Sequence, residues 1–321
     1  MMIKFKKIKI LNLVSFKFFI LLLFLYIYLL FFNLNKKQIY KMKVCICTIG
    51  KLENLYIREY LDYYKKLGVD EIYVYDNNEI NDESFETVIF DYIKTNFVNI
   101  IDYRGFPRPQ NRMMNSCYKM NYLKYDWIIF NDIDEFLYLK NYSNIKNFLN
   151  EYKFNKCKIT YLNFIFYTDN NNLHFENKTV ISRFKERCLS NKKYWGKSIL
   201  RGNISRLNIT SAHYITSKIP VCNGAGEMNK KFSIDSEYYY FKHYSFKSTE
   251  EYCNKLNRGN VAFDNNRHKK LSKIHMYFNY NKITIDKINM LENKTGINLN
   301  YFRNKLNNFS KNENRNYIYN Y

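Results

Sequence analysis

Two hydrophobic periods alternate along residues 43–166 of the chain. Short apolar runs, which are typical of buried strands, are separated by stretches whose apolar side chains recur every three or four positions, as on one face of a helix. The predicted strands are 43–48, 71–75, 97–103, 126–130 and 157–166. The predicted helices are 53–67, 84–95, 110–125 and a short helix capped by Ser143. Strands that alternate with helices in this way predict an α/β domain with a mainly parallel sheet.

The pattern weakens after Asp169, where loops rich in Asn and Lys surround short apolar runs. Helical spacing returns at 248–258, with Glu250 and Glu251 in the first turn, where the helix dipole favours acids. It returns again at 283–308, and the last dozen residues have the composition of a disordered tail. We therefore predict a main domain at 43–270 and a C-terminal helical extension with a disordered tail at 271–321.

Residues 10–32 form the most apolar segment, with Lys17 as their only charge. Roughly 20 apolar residues span a bilayer as a helix. The uninterrupted part, 18–32, also suits the apolar core of a signal peptide, but no cleavage site made of small residues follows it. We therefore predict an uncleaved transmembrane anchor at 10–32, preceded by a basic tail at 1–9 and followed by a linker at 33–42. Lysines are balanced on the two flanks, so they leave the orientation open.

The balance of charge is strongly basic, because 51 Lys and Arg residues exceed 29 Asp and Glu residues and give a formal charge of +22. Such a charge suits binding to nucleic acid or anionic lipid. The basic residues are spread over the whole chain, however, with one modest cluster at 267–273. The abundance of Lys, Asn, Ile, Tyr and Phe is that of A/T-rich codons. We therefore expect no nucleic-acid partner.

Seven cysteines are too few for a disulfide scaffold at this chain length. No Cys-x-x-Cys is present, and Cys45 and Cys47 share one face of a predicted strand, where a bridge between them is disfavoured. Cysteine usage by itself leaves the redox compartment open.

Polar side chains follow three of the predicted strands, at the edge where open α/β sheets bind their ligands. Thr48 ends the first strand, Asp76 and Asn77 end the second, and 131–135 (NDIDE) ends the fourth. Asp132 and Asp134 form a D-x-D motif, and both can reach one hard divalent cation such as Mn²⁺ or Mg²⁺. Such a cation neutralises a diphosphate and stabilises a departing nucleotide. An exposed acidic turn without a ligand is the alternative.

The segments 67–78 (LGVDEIYVYDNN) and 126–136 (DWIIFNDIDEF) resemble glycosyltransferase family 92 and related family-2-like glycosyltransferases. Further matching segments follow in order: 167–171 (YTDNN), 183–184 (RF), 197–201 (KSILR), His213 and 243–259 (HYSFKSTEEYCNKLNRG). The resemblance spans about residues 43 to 260 and implies a GT-A type, Rossmann-like nucleotide-sugar-binding fold. It also implies metal-dependent transfer of a sugar from a nucleotide-sugar donor, a UDP-sugar, to a glycan acceptor. Related enzymes carry Asn-Glu after the first strand, whereas this chain has Leu52-Glu53-Asn54, which puts a donor role for Glu53 in doubt.

The resemblance and the chemistry of the side chains together assign candidate roles. The residues assigned to the nucleotide-sugar are Thr48, Asp76, Asn77, Asp132 and Lys197. The residues assigned to the cation are Asp132, Asp134 and His213, with His243 as the alternative third ligand, because neutral imidazole suits Mn²⁺. An inverting transferase needs a base for the acceptor hydroxyl, and the candidates are Asp169 and Glu227.

The leading hypothesis is a membrane-anchored glycosyltransferase, with galactose as the sugar by family analogy. In a eukaryote it would be a single-pass type II protein of the Golgi or another secretory-pathway membrane, held in the lipid bilayer by residues 10–32. Six N-glycosylation sequons permit this topology, although their number is close to chance. Two alternatives stay open: a basic membrane-associated protein that binds nucleic acid or anionic lipid, and an inactive transferase homologue.

Overall fold

The computed structural model describes residues 21–26, 41–107, 109–188, 196–205, 207–211, 213, 215, 219–230, 238–259 and 267–312. The chain divides into two compact units, Met1–Met42 and Lys43–Tyr321. In the first unit, residues 21–26 are helical and exposed. Across the described ranges, no helix combines the length and apolar character needed to cross a bilayer. The rest of the predicted anchor at 10–32, the tail at 1–9 and residues 33–40 of the linker lie outside the described residues.

Nine strands of the described chain form a single sheet in the second unit. They are β1 Val44–Gly50, β2 Glu71–Asp76, β3 Val98–Asp102, β4 Trp127–Phe130, β5 Glu135–Leu139, β6 Ile159–Phe166, β7 Gly196–Arg201, β8 Val221–Asn223 and β9 Tyr239–His243. The sheet order is β3-β2-β1-β4-β7-β6-β9-β5, and β8 pairs with β6 beside this path. Strands β1 to β4 pair in parallel, whereas β7 is antiparallel to both of its neighbours and β5 is antiparallel to β9. The sheet is mixed and mainly parallel, which confirms the predicted α/β class.

Nine α-helices of the second unit accompany this sheet within the described ranges. They are α1 Asn54–Lys66, α2 Glu86–Lys94, α3 Gln110–Asn121, α4 Ile145–Leu149, α5 Val180–Arg183, α6 Thr249–Arg258, α7 Arg267–Tyr280, α8 Ile285–Thr295 and α9 Asn300–Asn312. Helix α1 buries the predicted stripe of apolar side chains and stops before Gly68, whose φ of 90° favours glycine. The predicted cap of α4 is wrong: Asn144, not Ser143, accepts the hydrogen bond from the backbone nitrogen of Lys146, at 2.8 Å.

Strand β1 lies at the centre of the parallel half of the sheet, between β2 and β4. All seven of its residues are buried. A strand buried on both faces needs no alternation of polar and apolar positions, which explains the continuous run VCICTIG. The strand continues to Gly50, two residues beyond the predicted end at Thr48.

The C-terminal helices pack into the same compact unit as the sheet. Helices α6 to α9 share one hydrophobic cluster, which includes Leu256, Ile274, Ile288 and Phe302. The predicted single helix at 283–308 is two helices, because Gly296 adopts a left-handed φ of 68° and ends α8. The predicted boundary at residue 270 falls inside α7, and the predicted tail beyond residue 312 lies outside the described residues.

Two pairs of cysteines are bonded in the structure. Cys47 of β1 is joined to Cys117 of α3, and Cys157 is joined to Cys222 of β8. Cys45 and Cys47 are not bridged to each other, in agreement with the sequence analysis. The first disulfide ties the central strand to α3, and the second ties the start of β6 to β8.

Candidate active site

The carboxyl ends of β1, β2 and β4 meet at one edge of the sheet. Gly50 pairs with Asp76, and Cys47 pairs with Phe130. The chain runs from β1 to β2 and β3 on one side and returns to β4 on the other, so the strand order reverses between β1 and β4. The crevice outside such a reversal is where open α/β sheets bind ligands. Thr48 lies inside this edge, because β1 runs on to Gly50, and its side chain is fully buried.

Asp76 and Asn77 fix the loop that follows β2. One carboxylate oxygen of Asp76 accepts hydrogen bonds from the backbone and side-chain nitrogens of Asn78, and the other pairs with Arg104 at 3.2 Å. The amide of Asn77 donates to the carbonyl oxygens of Tyr103 and Phe106, at 2.8 and 3.0 Å. The two predicted residues therefore lie at the edge but also bind the β3–α3 loop. Arg104, which the sequence analysis missed, is partly exposed beside them.

Residues 131–135, which we call the acid turn, connect β4 to β5. The backbone nitrogen of Glu135 donates to the carbonyl oxygen of Asp132 at 3.0 Å, which closes the turn. Two tyrosines of α1 hold its first residue: Tyr60 donates to the Asn131 side chain at 2.9 Å, and Asn131 donates to the Tyr64 hydroxyl at 2.8 Å. The buried face of α1 thus fixes the position of the acid turn, and the carboxylates of the turn lie at the sheet edge.

Lys197 of β7 neutralises one side of the acid turn. Its amine lies 3.0 Å from a carboxylate oxygen of Asp132 and 3.5 Å from one of Glu135. Its side chain is 2% exposed, whereas that of Asp132 is 36% exposed. Gln110, at the start of α3, approaches the other oxygen of Asp132 at 3.5 Å. The predicted pair Asp132 and Lys197 is therefore brought together, with Asp132 open to a ligand.

Asp134, Glu135 and His243 form the other side of the turn. Each offers one ligand atom, and these three atoms lie within 4.8 Å of one another. Nε2 of His243, at the end of β9, is 3.6 Å from Asp134 and 3.9 Å from Glu135. The Lys255 amine of α6 is 2.6 Å from the second oxygen of Asp134. Carboxylate oxygens with an imidazole nitrogen are a donor set that Mn²⁺ accepts.

Burial and neighbouring charges separate the ionisation of these groups. Burial would raise the pKa of Asp134, but the charge of Lys255, with His243 and Lys247, holds it well below its usual range. Burial raises the pKa of Glu135 well above its usual range, although Lys197 opposes this. Burial lowers the pKa of His243 to about 3, so its imidazole is neutral at physiological pH, as a metal ligand requires.

The geometry favours His243 over His213 as the third metal ligand. Within the part of the chain that the structure describes, the ligand atoms of Asp134, Glu135 and His243 converge, whereas the sequence analysis preferred Asp132, Asp134 and His213. The two imidazoles flank the Phe164 ring, with centroid distances of 4.6 Å for His243 and 6.0 Å for His213. Burial and the charge of Lys197 lower the pKa of His213 to about 4.

Both predicted bases are engaged in other contacts of the fold. Asp169 is 1% exposed, and its carboxylate is bound by the Lys287 amine at 2.7 Å and by the Tyr277 hydroxyl. Glu227 is exposed beside β8 and binds Asn223 and Lys230. Its hydrogen bond with Asn223 lowers its pKa, which weakens it as a base.

Glu53, in the turn after β1, contacts Arg258 and Lys247. Its carboxylate is bound by Arg258 of α6 and lies 3.8 Å from the Lys247 amine. Arg258 also donates to the carbonyl oxygens of Lys51 and Leu52, at 2.5 and 2.9 Å. Glu53 therefore holds the turn after β1, which fits the doubt about its role in donor binding. The sequence analysis assigned no role to Lys255 or Arg258, although their spacing on one helix face was visible.

Comparisons with known proteins identify the family. The model of glycosyltransferase family 92 matches residues 40–284. A glycosyltransferase family 92 protein of Oryza sativa subsp. japonica is 27% identical over 118 residues, which are 34% of this chain and 18% of that protein. One of Ricinus communis is 26% identical over 114 residues, which are 33% of this chain and 19% of that protein. The matched segments thus span less than a fifth of these relatives.

Solved structures give weaker likenesses. A mannosyltransferase of Pyrobaculum calidifontis in complex with GDP-Man and Mn²⁺ has a TM-score of 0.30 and 11% identity, over 39% of this chain and 36% of that one. Staphylococcus aureus TarS 1-349 in complex with UDP-GlcNAc has a TM-score of 0.34 and 11% identity, over 79% of this chain and 80% of that one. Both scores are too low to bear on the site. Since the family model covers most of the compact unit, this chain belongs to glycosyltransferase family 92.

Proposed function

We propose that the chain is a glycosyltransferase that moves a sugar from a nucleotide-sugar donor, a UDP-sugar, to a glycan acceptor, on a GT-A type fold. The observation that carries this proposal is the acid turn at the reversal point of the sheet. There, in a chain of family 92, carboxylates, a neutral imidazole and lysines converge at the sheet edge where β2 also ends at Asp76. Family membership supports the class of reaction, and the site supports the chemistry.

The nucleoside half of the donor is assigned to the β1–β2 side of the edge. Asp76 and Asn77 end β2 there, and the partly exposed Arg104 adds a cation beside them. A carboxylate that follows the second strand of a Rossmann-like unit is suited to accept hydrogen bonds from ribose hydroxyls. Thr48 lies in β1 beneath this part of the edge, and because its side chain is buried we assign it to packing under the nucleoside.

The residues present fit a divalent cation. The second oxygen of Glu135 is buried and has no hydrogen-bond donor among the residues that the structure describes. We assign the cation to Asp134, Glu135 and His243, with the partly exposed Asp132 facing the donor, and the imidazole favours Mn²⁺ over Mg²⁺. When bound, the cation neutralises negative charge that develops on the departing nucleoside diphosphate.

Charge balance supports a diphosphate at this place. With Glu135 ionised by a bound cation, four carboxylates face four basic side chains: Glu53, Asp132, Asp134 and Glu135 against Lys197, Lys247, Lys255 and Arg258. A divalent cation adds two positive charges, and the diphosphate of a sugar donor brings two negative charges. Donor and cation together therefore leave the buried cluster close to neutral, which avoids the cost of an uncompensated charge.

The location that we propose is the lumen of the secretory pathway, with the segment 10–32 in the bilayer. Bonded cysteine pairs are typical of oxidising compartments, and this unit has two. The six sequon asparagines, Asn141, Asn177, Asn203, Asn208, Asn293 and Asn308, are all exposed, as acceptors of glycans must be. Golgi residence and galactose as the sugar rest on family analogy.

Donor turnover tests the function. The full chain is incubated with a panel of UDP-sugars, UDP-galactose first, and an oligosaccharide acceptor, with Mn²⁺, with Mg²⁺ or with EDTA. We expect one donor to release UDP, and a loss on the order of 100-fold in Asp134→Asn and in His243→Ala. Asp91→Asn is the matched control, since Asp91 is exposed and pairs with Arg58 far along the chain from the acid turn. If the wild-type chain turns over no nucleotide-sugar under any of these conditions, the proposal is wrong.

A further inference from the structure

Three charged side chains on one face of α6 contact other parts of the unit, including the acid turn and the turn after β1. Glu251, Lys255 and Arg258 stand at positions i, i+4 and i+7, which share one side of a helix. Each contacts a different part of the unit: Glu251 binds Arg183, Lys255 binds Asp134, and Arg258 binds the 51–53 turn. Helix α6 therefore sets the positions of Lys255 and Arg258 at the site together.

The first turn of α6 is fixed by buried polar contacts. The Ser248 side chain accepts from the backbone nitrogen of Glu251, and the Glu251 carboxylate accepts from the backbone nitrogen of Ser248, which together form a capping box. The same carboxylate forms a bidentate ion pair with Arg183, at 2.7 and 2.8 Å. It also accepts a hydrogen bond from the Tyr56 hydroxyl at 2.8 Å. Arg183 and Glu251 are 1% and 3% exposed, so this contact sets the helix position firmly.

The two lysines that contact the acid turn, Lys197 and Lys255, differ in how far they are exposed to solvent. Lys197 is 2% exposed and bridges Asp132 and Glu135 from within the sheet. Lys255 is 28% exposed, and it reaches Asp134 at 2.6 Å and the Ser245 carbonyl and hydroxyl oxygens at 3.2 and 3.3 Å. An ammonium on a flexible stem at a solvent-facing position can exchange one anionic partner for another. Lys255 is thus the lysine on the acid turn that is able to meet a ligand.

We propose that Lys255 is a donor-binding residue that pairs with the phosphate of the donor nearest the sugar, and that Glu251 and Arg258 are positioning residues that hold its helix. This inference rests on the proposed function. A cation on Asp134 takes over the charge that Lys255 neutralises in the structure, and the amine is then available to a phosphate oxygen. The acceptor hydroxyl oxygen bonds to the sugar carbon and gives up its proton to solvent. The bond from that carbon to the phosphate oxygen breaks, its electron pair stays on the phosphate, and the nearby ammonium stabilises the added charge.

Nucleotide binding by the full chain tests this assignment. UDP, UMP and uridine are titrated calorimetrically in the presence of Mn²⁺. In Lys255→Met we expect UDP affinity to fall by about tenfold or more, with little change for UMP, because UMP lacks the second phosphate. Lys255→Arg should retain most of the UDP affinity. Lys255→Gln, which keeps a hydrogen-bond donor for Asp134, should show the same UDP-specific loss if the Met variant folds poorly.

The control variant is Lys270→Met on α7. It removes the same charge nearby, but Lys270 contacts Asn257 and not the acid turn, so UDP and UMP affinities should both stay unchanged. If UDP binds Lys255→Met and Lys255→Gln as tightly as wild type, the role of Lys255 is overturned while the donor proposal stands. Equal weakening of UDP and UMP would likewise overturn the contact with the second phosphate. A wild-type chain that binds no UDP contradicts both the donor and Lys255.

Discussion

At the scale of single residues, neighbours decide what each carboxylate of the site can do. Asp132 is partly exposed and faces outward, Asp134 is kept ionised by Lys255, and Glu135 is buried with a raised pKa. Asp169 is also a carboxylate, but it binds Lys287 of α8 and Tyr277 of α7 and so connects to the C-terminal helices. We therefore expect these similar acids to have different roles in donor binding, cation binding and structure.

The ion pair of Arg183 and Glu251 gives a prediction about stability and pH. Burial would raise the pKa of Glu251, but hydrogen bonds from Arg183 and Ser248 lower it. A carboxylate whose pKa is lower in the folded state adds stability above its unfolded pKa of about 4.3, and that stability is lost as the pH falls through the folded pKa. Glu251→Gln should therefore lose about 3 kcal/mol of unfolding free energy at pH 7 and less in acid.

Urea unfolding at pH 7 and near pH 4 measures this difference. Asp91→Asn is the control, because its pair with Arg58 is exposed and should contribute little to stability. A loss in Glu251→Gln that is as small as in the control, or that grows toward acid, would show that the buried pair does not hold α6.

The acids of the site were predictable from sequence because they follow an apolar strand, whereas their partners were not. The position of 131–135 directly after the apolar run DWIIF is enough to locate the acid turn. Lys255 and His243 come from segments more than a hundred residues away, and only the pairing of β9 with β5 brings His243 opposite Glu135. Local pattern carries no information on such pairing, so the preference for His213 could not be tested from sequence.

At the scale of elements, the register of the strands and the C-terminal helices shape the site. Strands β1 to β4 and β6, with the helices between them, were predicted within a few residues, because strands buried on both faces and amphipathic helices leave clear patterns. Strand β5 was not predicted, because it follows β4 after a short turn with no helix between them. The break between α8 and α9 at Gly296 was not predicted, because the apolar spacing continues across it into α9. The packing of α7 to α9 with α6 depends on long-range contacts that no local period shows.

The buried pair of Asp169 and Lys287 predicts how α8 is attached. Lys287→Met leaves a buried carboxylate without its charge partner and should cost about 3 kcal/mol or more of unfolding free energy. The double variant with Asp169→Asn should be more stable than Lys287→Met, because it removes the unpaired charge. Chemical denaturation measures both. A double variant that is less stable than Lys287→Met would contradict this account of the pair.

The same contact predicts that Asp169 is not the base of the reaction. Asp169→Asn should keep donor turnover within about tenfold of wild type when it is assayed at low temperature, where the destabilised fold persists. A loss on the order of 1,000-fold in folded protein would restore Asp169 as a base.

At the scale of the whole molecule, the proposed lumenal location predicts the state of the cysteines. Chain produced in the secretory pathway and unfolded without reductant should expose three reactive thiols, from Cys45, Cys188 and Cys253. Thiol titration with mass mapping measures this number and the two pairs Cys47–Cys117 and Cys157–Cys222. Finding all seven cysteines of the sequence reactive would contradict an oxidising location.

Membrane topology gives a second prediction at this scale. In a eukaryotic host, Asn141 or Asn203 should carry a glycan, because both are exposed. Protease added to sealed microsomes should spare the unit Lys43–Tyr321 until detergent is added. Digestion without detergent would place the unit on the cytosolic side. The net charge of +22 is compatible with either side and does not decide the question.

The central claim is that the acid turn binds a nucleoside diphosphate together with a divalent cation. Its most direct measurement is the affinity of the full chain for UDP, with Mn²⁺ and with EDTA, in wild type, Asp134→Asn and the control Asp91→Asn. We predict that Mn²⁺ tightens UDP binding by about tenfold or more in wild type and in the control, and that this gain disappears in Asp134→Asn. UDP affinity that is the same with Mn²⁺ and EDTA, or a gain that persists in Asp134→Asn, would contradict the account.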